Sequence, residues 1–275
     1  MPAPLLTIDS ATKYDDRHHD AVVICGSHGG VYPAYLSARA GLRAVTLCDA
    51  GIGKDKAGLG CLDYCAALGM AAATVAHDSA RIGDGHDMLT RGRISYVNRV
   101  AQKLGVAAGQ RVAEAAERLI GSLPWSAPPP RYEEARIVVV EEPGRPRVIC
   151  MDSISLVRPE DDGQIVVSGS HGALLGGKPE AALAVQALAA FFSDAGIGVD
   201  DAGVSRLPAL ETRNIAAACV DTMSARIGDG RSVYQDGVIS RLNRTAAEAG
   251  GEPGMPLREL IRRLLDRPQS NRARS

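Results

Sequence analysis

The chain has 275 residues, of which 45% are hydrophobic and 30 are glycine, and it carries a net charge of −1. That is enough apolar material for a large core, as one pseudo-symmetric body or two domains, and it lacks the basic stripe of a nucleic-acid binder. With no basic leader and no apolar run of about 18 residues, a soluble cytoplasmic protein without nucleic-acid or membrane partners is expected.

The first half alternates periods. "AVVIC" reads as a short buried strand running into Gly26-Ser27-His28-Gly29, "YPAYLSARAG" as a helix closed by Gly41, and "LRAVTLC" as a second strand ending in DAGIG at 49–53. "LGCLDYCAALG" predicts a helix ending at Gly69 and "MAAATVA" a third strand, followed by SARIGDG at 79–85. In "DGHDMLTRGRISYVNRVAQKLG", Met88, Val97, Ala101 and Leu104 fall near helical spacing and predict one long helix. Nearly continuous apolar strands alternating with helices imply a parallel sheet covered on both faces, and right-handed crossovers put the strand C-termini on one edge.

The same text then recurs. GSHG returns as Gly169-Ser170-His171-Gly172 at a spacing of 143, and DAGIG and SARIGDG return at 194–198 and 224–230 at a spacing of 145. The two-residue gain predicts a longer helix, "PEAALAVQALAAF", after the second GSHG. The chain is therefore expected to be an α/β protein, internally duplicated into two pseudo-symmetric Rossmann-like units with mostly parallel sheet. Residues 1–120 form the first repeat and 148–266 the second; 121–147 are a Pro-rich linker with one strand ("ARIVVV"), and 267–275 a flexible tail.

All three repeated blocks begin where a strand ends, on the edge where open α/β sheets bind ligands. The strands drift between halves while these polar loops stay identical, which favours a duplicated site. Each residue also has a purely structural role open to it. Gly29 and Gly172 serve a tight turn or an oxyanion-binding backbone; Ser27, Ser170, His28 and His171 serve caps or, for the histidines, acid/base chemistry. Asp49 and Asp194 are Asx-turn residues, or else orient a histidine or hold a divalent cation with Asp55. Asp84 and Asp229 read as N-caps of the helices that follow; Arg81 and Arg226 pair with a nearby Asp or fork onto a substrate carboxylate. The six cysteines show no CxxC spacing, and Cys61 and Cys65 read as core residues.

Cys48 precedes DAGIG and Ser193 stands in its place in the second half. With "VVICGSHGG", "AVTLCDAGIG", "GLGCLDYCAALG" and "MAAATVA", the first half resembles caspase-like cysteine peptidases of the CHAT branch, in which one apolar strand ends in His-Gly and a later one in Cys-x-x-Gly. That resemblance implies Cys48 as nucleophile, His28 as general base and amides near Gly29 as an oxyanion hole. The second half would offer Ser193–His171, with Ser27, Arg81, Asp84, Ser170, Gly172, Arg226 and Asp229 around the substrate.

Three readings follow. The first is a hydrolase or acyl-transfer enzyme acting through Cys48–His28 on a small amide- or imide-type carbonyl compound carrying a carboxylate. The second drops the nucleophile: His28 and His171 do acid/base work with Asp49, Asp55 and Asp84, as in an isomerase, a lyase or a metal-assisted hydrolase. The third is a non-catalytic protein binding a phosphate or carboxylate ligand. No cofactor is expected, a divalent metal remains open, and homo-oligomerisation is the base-rate expectation.

Overall fold

The computed structural model describes residues 3–267. The expected tail lies almost wholly outside them.

The first sheet runs in chain order: β1 (Leu5–Ile8), β2 (Val22–His28), β3 (Ala44–Cys48) and β4 (Ala71–Val75) are parallel, and β5 (Ile94–Val97) closes the edge antiparallel. The second sheet holds β6 (Arg136–Val140), β7 (Val148–Met151), β8 (Ile165–His171), β9 (Ala189–Ser193), β10 (Ala216–Val220) and β11 (Ile239–Leu242). Here β7 to β10 are parallel, and β6 and β11 are antiparallel edges. The protein is thus an α/β chain with two Rossmann-like, mostly parallel units. The linker strand β6 belongs to the second sheet.

Both faces of the first sheet are covered. α1 (Val31–Arg39) and α2 (Gly60–Leu68) pack on the face carrying Val23, Cys25, Val45 and Leu47. α3 (Gly85–Arg91), α4 (Arg99–Lys103) and α5 (Val112–Leu119) cover the face carrying Val22, Ile24 and Cys48. In the second unit α6 (Arg206–Glu211), α7 (Gly230–Asp236), α8 (Arg244–Glu248) and α9 (Leu257–Asp266) stand for α2 to α5.

Two expected helices are absent. The long helix after SARIGDG is broken into α3, β5 and α4. α3 ends where Gly92 turns extended, a position that excludes a side chain because a Cβ would lie 2.3 Å from the Met88 carbonyl, and β-branched Ile94 and Val97 then pair with β4. Helical spacing of four apolar residues hid a strand between two short helices.

The segment "PEAALAVQALAAF" is likewise no helix. Only Pro179–Ala181 makes a 3-10 turn, and "AAFFS" is β9. The second unit has no counterpart of α1, and arginines hold the irregular chain that stands in its place. Arg206 donates to the carbonyls of Ala182 (2.7 Å) and Ala173 (2.9 Å), and Arg213 to those of Leu183 (2.6 Å) and Val185 (2.5 Å). The aligned residues of the first half are Cys61 and Leu68, which pack under α1 instead.

The strand order never reverses within either sheet, so neither has a switch-point crevice of the usual kind. The strand C-termini of the two units instead face each other about a pseudo-twofold axis. Ala50, Gly51, Ile52 and Gly53 all have positive φ, as do Ala195, Gly196, Ile197 and Gly198, a costly run for alanine and isoleucine. The two loops meet there: a Cβ on Gly51 would lie 2.9 Å from the Gly196 Cα. Around them the contacts come in related pairs, Lys54 N–H to the Thr222 carbonyl (2.9 Å) and Val199 N–H to the His77 carbonyl (3.0 Å). Arg81 pairs with Asp200 at 2.9 Å, and Arg226 with Asp55 at 3.2 Å.

Candidate functional site

The glycines and serines of the repeated GSHG each have a visible task. The Gly26 and Gly169 carbonyls accept from Gly83 and Gly228 N–H (2.8 and 2.7 Å), and a Cβ on either glycine would collide with that neighbouring loop. Ser27 Oγ accepts from Ala11 N–H, and Ser170 Oγ from Ile154 N–H, both at 2.9 Å, tying each loop to the turn after β1 or β7. Gly29 and Gly172 abut the carbonyls of Gly58 and Gly203, while their own N–H groups bond the carbonyls of Cys48 and Ser193. Only the histidines are left over.

Their rings are fixed alike. Nδ1 of His28 accepts from Gly30 N–H at 3.2 Å, and Nδ1 of His171 from Ala173 N–H at 3.3 Å. A ring nitrogen that accepts carries no proton, so each neutral imidazole is a donor at Nε2. Burial pulls His28 down to about 4, and pulls His171 well below its ordinary value, with Arg206 and His28 adding to the effect. Neither Nε2 has a hydrogen-bond partner among the described residues.

Both rings line one cavity of about 460 Å³ between the two units. Gly228 of the second unit closes over His28, and a Cβ there would lie 3.1 Å from its Cε1. One wall is Tyr32 and Pro33 of α1; Tyr132 and Glu134 arrive from the linker, and Asp152 from the end of β7. The linker is held down by Trp125 Nε1–H to the Leu42 carbonyl (2.7 Å) and by Tyr64 O–H to the Pro130 carbonyl (2.9 Å).

Burial drives the Glu134 carboxyl up to about 7; Asp152 adds repulsion, while the hydroxyls of Tyr32 and Ser153 partly offset it. Asp152 is also raised by burial, against the pull of the Ala135 and Gly230 N–H groups that its carboxylate accepts at 2.7 and 3.1 Å.

The site is single although its parts are duplicated. The related position beside SARIGDG of the first unit is filled by the chain that replaced α1: Gly176 N–H bonds the Gly83 carbonyl (2.8 Å) and Leu174 N–H bonds Ser205 Oγ (3.0 Å).

Of the remaining expected site residues only Asp55, Arg226 and Asp229 line this cavity. His28 and Cys48 are register neighbours at the strand ends, as are His171 and Ser193. Cys48, however, is fully buried on the α3 to α5 face, and burial with Asp49 beside it pushes its thiol up. Ser193 is fully buried, its Oγ accepting from Ala195 N–H. Neither lines the cavity, and neither is hydrogen-bonded to a histidine.

Asp49 Oδ1 accepts from Gly51 N–H and from His77 N–H and Nδ1–H, and Asp194 Oδ1 from Gly196 and Thr222 N–H. They brace the junction loops. Asp84 and Asp229 cap α3 and α7. Arg81 lies outside the cavity; Arg226 lines it but is held between Asp55 and Asp229.

Native protein treated with iodoacetamide at pH 8 is expected to leave Cys48 unmodified, with all six thiols reacting only after denaturation. All six are buried, and a thiol shielded from water forms little thiolate. Peptide mass spectrometry reads this cysteine by cysteine; selective fast labelling of Cys48 would restore the thiol reading.

Sequence reasoning missed Glu134, Asp152, Tyr32, Tyr132 and Arg206. Glu134 sits in "RYEEARIVVV" with no motif around it, and only the path of the linker brings it to the histidines. Among the described residues no group of three or more His, Cys, Asp or Glu is arranged to hold a metal, and no helix is long and apolar enough to cross a membrane. No protein-family model, curated protein or solved structure matches the chain.

Proposed function

We propose that the protein is an acid–base enzyme acting on a small carbonyl compound, an isomerase or lyase that moves a proton at the carbon next to the carbonyl. The observation that carries this is the pair of imidazoles that line the cavity with Glu134 and whose Nδ1 atoms are occupied by backbone N–H, so that each keeps its proton at Nε2, where it has no protein partner.

A neutral imidazole is a good electrophile for a carbonyl oxygen, because it donates a hydrogen bond without giving up its proton. Glu134, titrating near 7, matches the pKa of a general base at neutral pH. Glu134 takes the proton from carbon, the bonding pair moves onto oxygen as an enolate, and His28 and His171 hold that charge. Return of the proton to another atom gives isomerisation; loss of a leaving group from the adjacent carbon gives elimination. The thiol mechanism finds less support, since Cys48 would have to leave the core.

Nitrogen NMR of the histidines tests the premise: His28 and His171 are expected to be neutral Nε2–H tautomers at pH 7. Finding either charged, or protonated at Nδ1, overturns the proposal. In D2O the wild type is expected to exchange the hydrogen next to the carbonyl in small ketones and aldehydes that bind, and Glu134→Gln to slow this at least 100-fold, within the usual range for a lost general base.

A further inference from the structure

The charges lining the cavity are unevenly committed. Arg226 is held by Asp55 and Asp229; Arg206 has no acidic partner, its NH1 and NH2 donating to two carbonyl oxygens and its Nε to none, and it lies on the His171 side; Lys56 stands exposed at the mouth. Glu134 and Asp152, by contrast, form no ion pair among the described residues. Arg231 acts on Asp152 only from a distance. Two neighbouring carboxyl groups with restricted access to water and no cation each pay for desolvation and for each other.

A separate feature of the same space points to a ligand. His171 is 6% exposed and lines the same cavity, and its Nε2 has no hydrogen-bond partner among the described residues. The Tyr32 and Tyr132 rings, 6.0 Å apart between centroids, form a wall beside the carboxyls, and aromatic faces attract cations.

We infer that the ligand of this cavity carries a basic nitrogen, bound as an ammonium or amidinium beside Asp152 and Glu134, with its carbonyl toward His28 and His171. The carbonyl's placement rests on the acid–base reading; the nitrogen's does not. Asp152, fixed by two backbone N–H groups, is the anchor. A cation set there favours the ionised form of Glu134 as well, so the substrate's own charge readies the base. A substrate carboxylate set beside Glu134 and Asp152 would instead meet two like charges.

The test compares benzylamine, benzamide and benzoate binding to the full chain at pH 7 by calorimetry. Benzylamine is expected to bind at least tenfold more tightly than the other two, and Glu134→Gln and Asp152→Asn each to weaken it at least tenfold. Preference for benzoate, no benzylamine binding up to millimolar concentration, or equal benzylamine affinity in Glu134→Gln overturns the inference. Glu134→Gln keeps the test open should Asp152→Asn fail to fold. If the histidines prove neutral Nε2–H tautomers while benzoate is preferred, the nitrogen site falls and the acid–base reading stands.

Discussion

Gly58→Ala and Gly203→Ala are each expected to abolish soluble, folded protein. A Cβ at Gly58 would lie 2.0 Å from the Asp49 carbonyl oxygen, and one at Gly203 would lie 2.0 Å from that of Asp194. In both places backbone meets backbone, so no side chain can swing aside. Nor can the loops retreat. Gly58 N–H bonds the Ile52 carbonyl and Gly203 N–H the Ile197 carbonyl, and these bonds close the left-handed loops that join the two units. Losing either loop costs the junction as well as the local turn, an effect beyond about 4 kcal/mol.

Gly69→Ala is the control. It has φ of +78° with nothing within 4 Å of the new methyl, so only the backbone preference is lost, about 1–2 kcal/mol. Yield and thermal melting of the three variants separate the cases; a well-folded Gly58→Ala would mean that the junction can move.

The duplication, the parallel strands and the strand-end position of the polar blocks were legible because they depend on local pattern. "AVVIC", "LRAVTLC" and "MAAATVA" could hardly be anything but buried strands. Helical spacing at Met88, Val97, Ala101 and Leu104 misled because a strand with one face on the core also shows apolar residues three or four apart when short helices flank it. The polar identity of DAGIG and SARIGDG was rightly noticed and differently explained. Gly51 against Gly196, and Arg81 and Arg226 with Asp200 and Asp55, are contacts between related surfaces, so the two copies constrain each other. The histidines were legible through repetition. Glu134 was not, since its neighbours Tyr32, Asp152 and Ser153 come from α1 and from the turn after β7, and no spacing in the chain announces that meeting.

Glu134 and His28 are expected to tilt the pH dependence of stability in opposite directions, which makes their variants a matched pair. Glu134 ionises near 7 in the folded state, above its ordinary 4.5. The native chain therefore keeps a proton that the unfolded chain has lost, and the stability it contributes at low pH disappears as pH rises from about 4.5 to 7. A tenfold difference in proton affinity is worth about 1.4 kcal/mol, and the carboxyl's partial exposure to the cavity reduces the whole effect to about 1–2 kcal/mol. Glu134→Gln should thus melt higher than wild type at pH 8, by about 2–6 °C, and equally at pH 4.5. His28 works the other way. Its folded value of about 4 lies below the ordinary 6.5, so its contribution is intact above 6.5 and is lost as pH falls toward 4, on the order of 3 kcal/mol. His28→Gln should therefore lose less stability on acidification than wild type does. Because many other groups titrate in the same range, the measurement is the difference between variant and wild-type denaturation free energies at each pH. Difference curves of the same sign of slope, or flat ones, would mean that Glu134 and His28 are ordinary solvated groups, and the acid–base chemistry assigned to them would lose its basis.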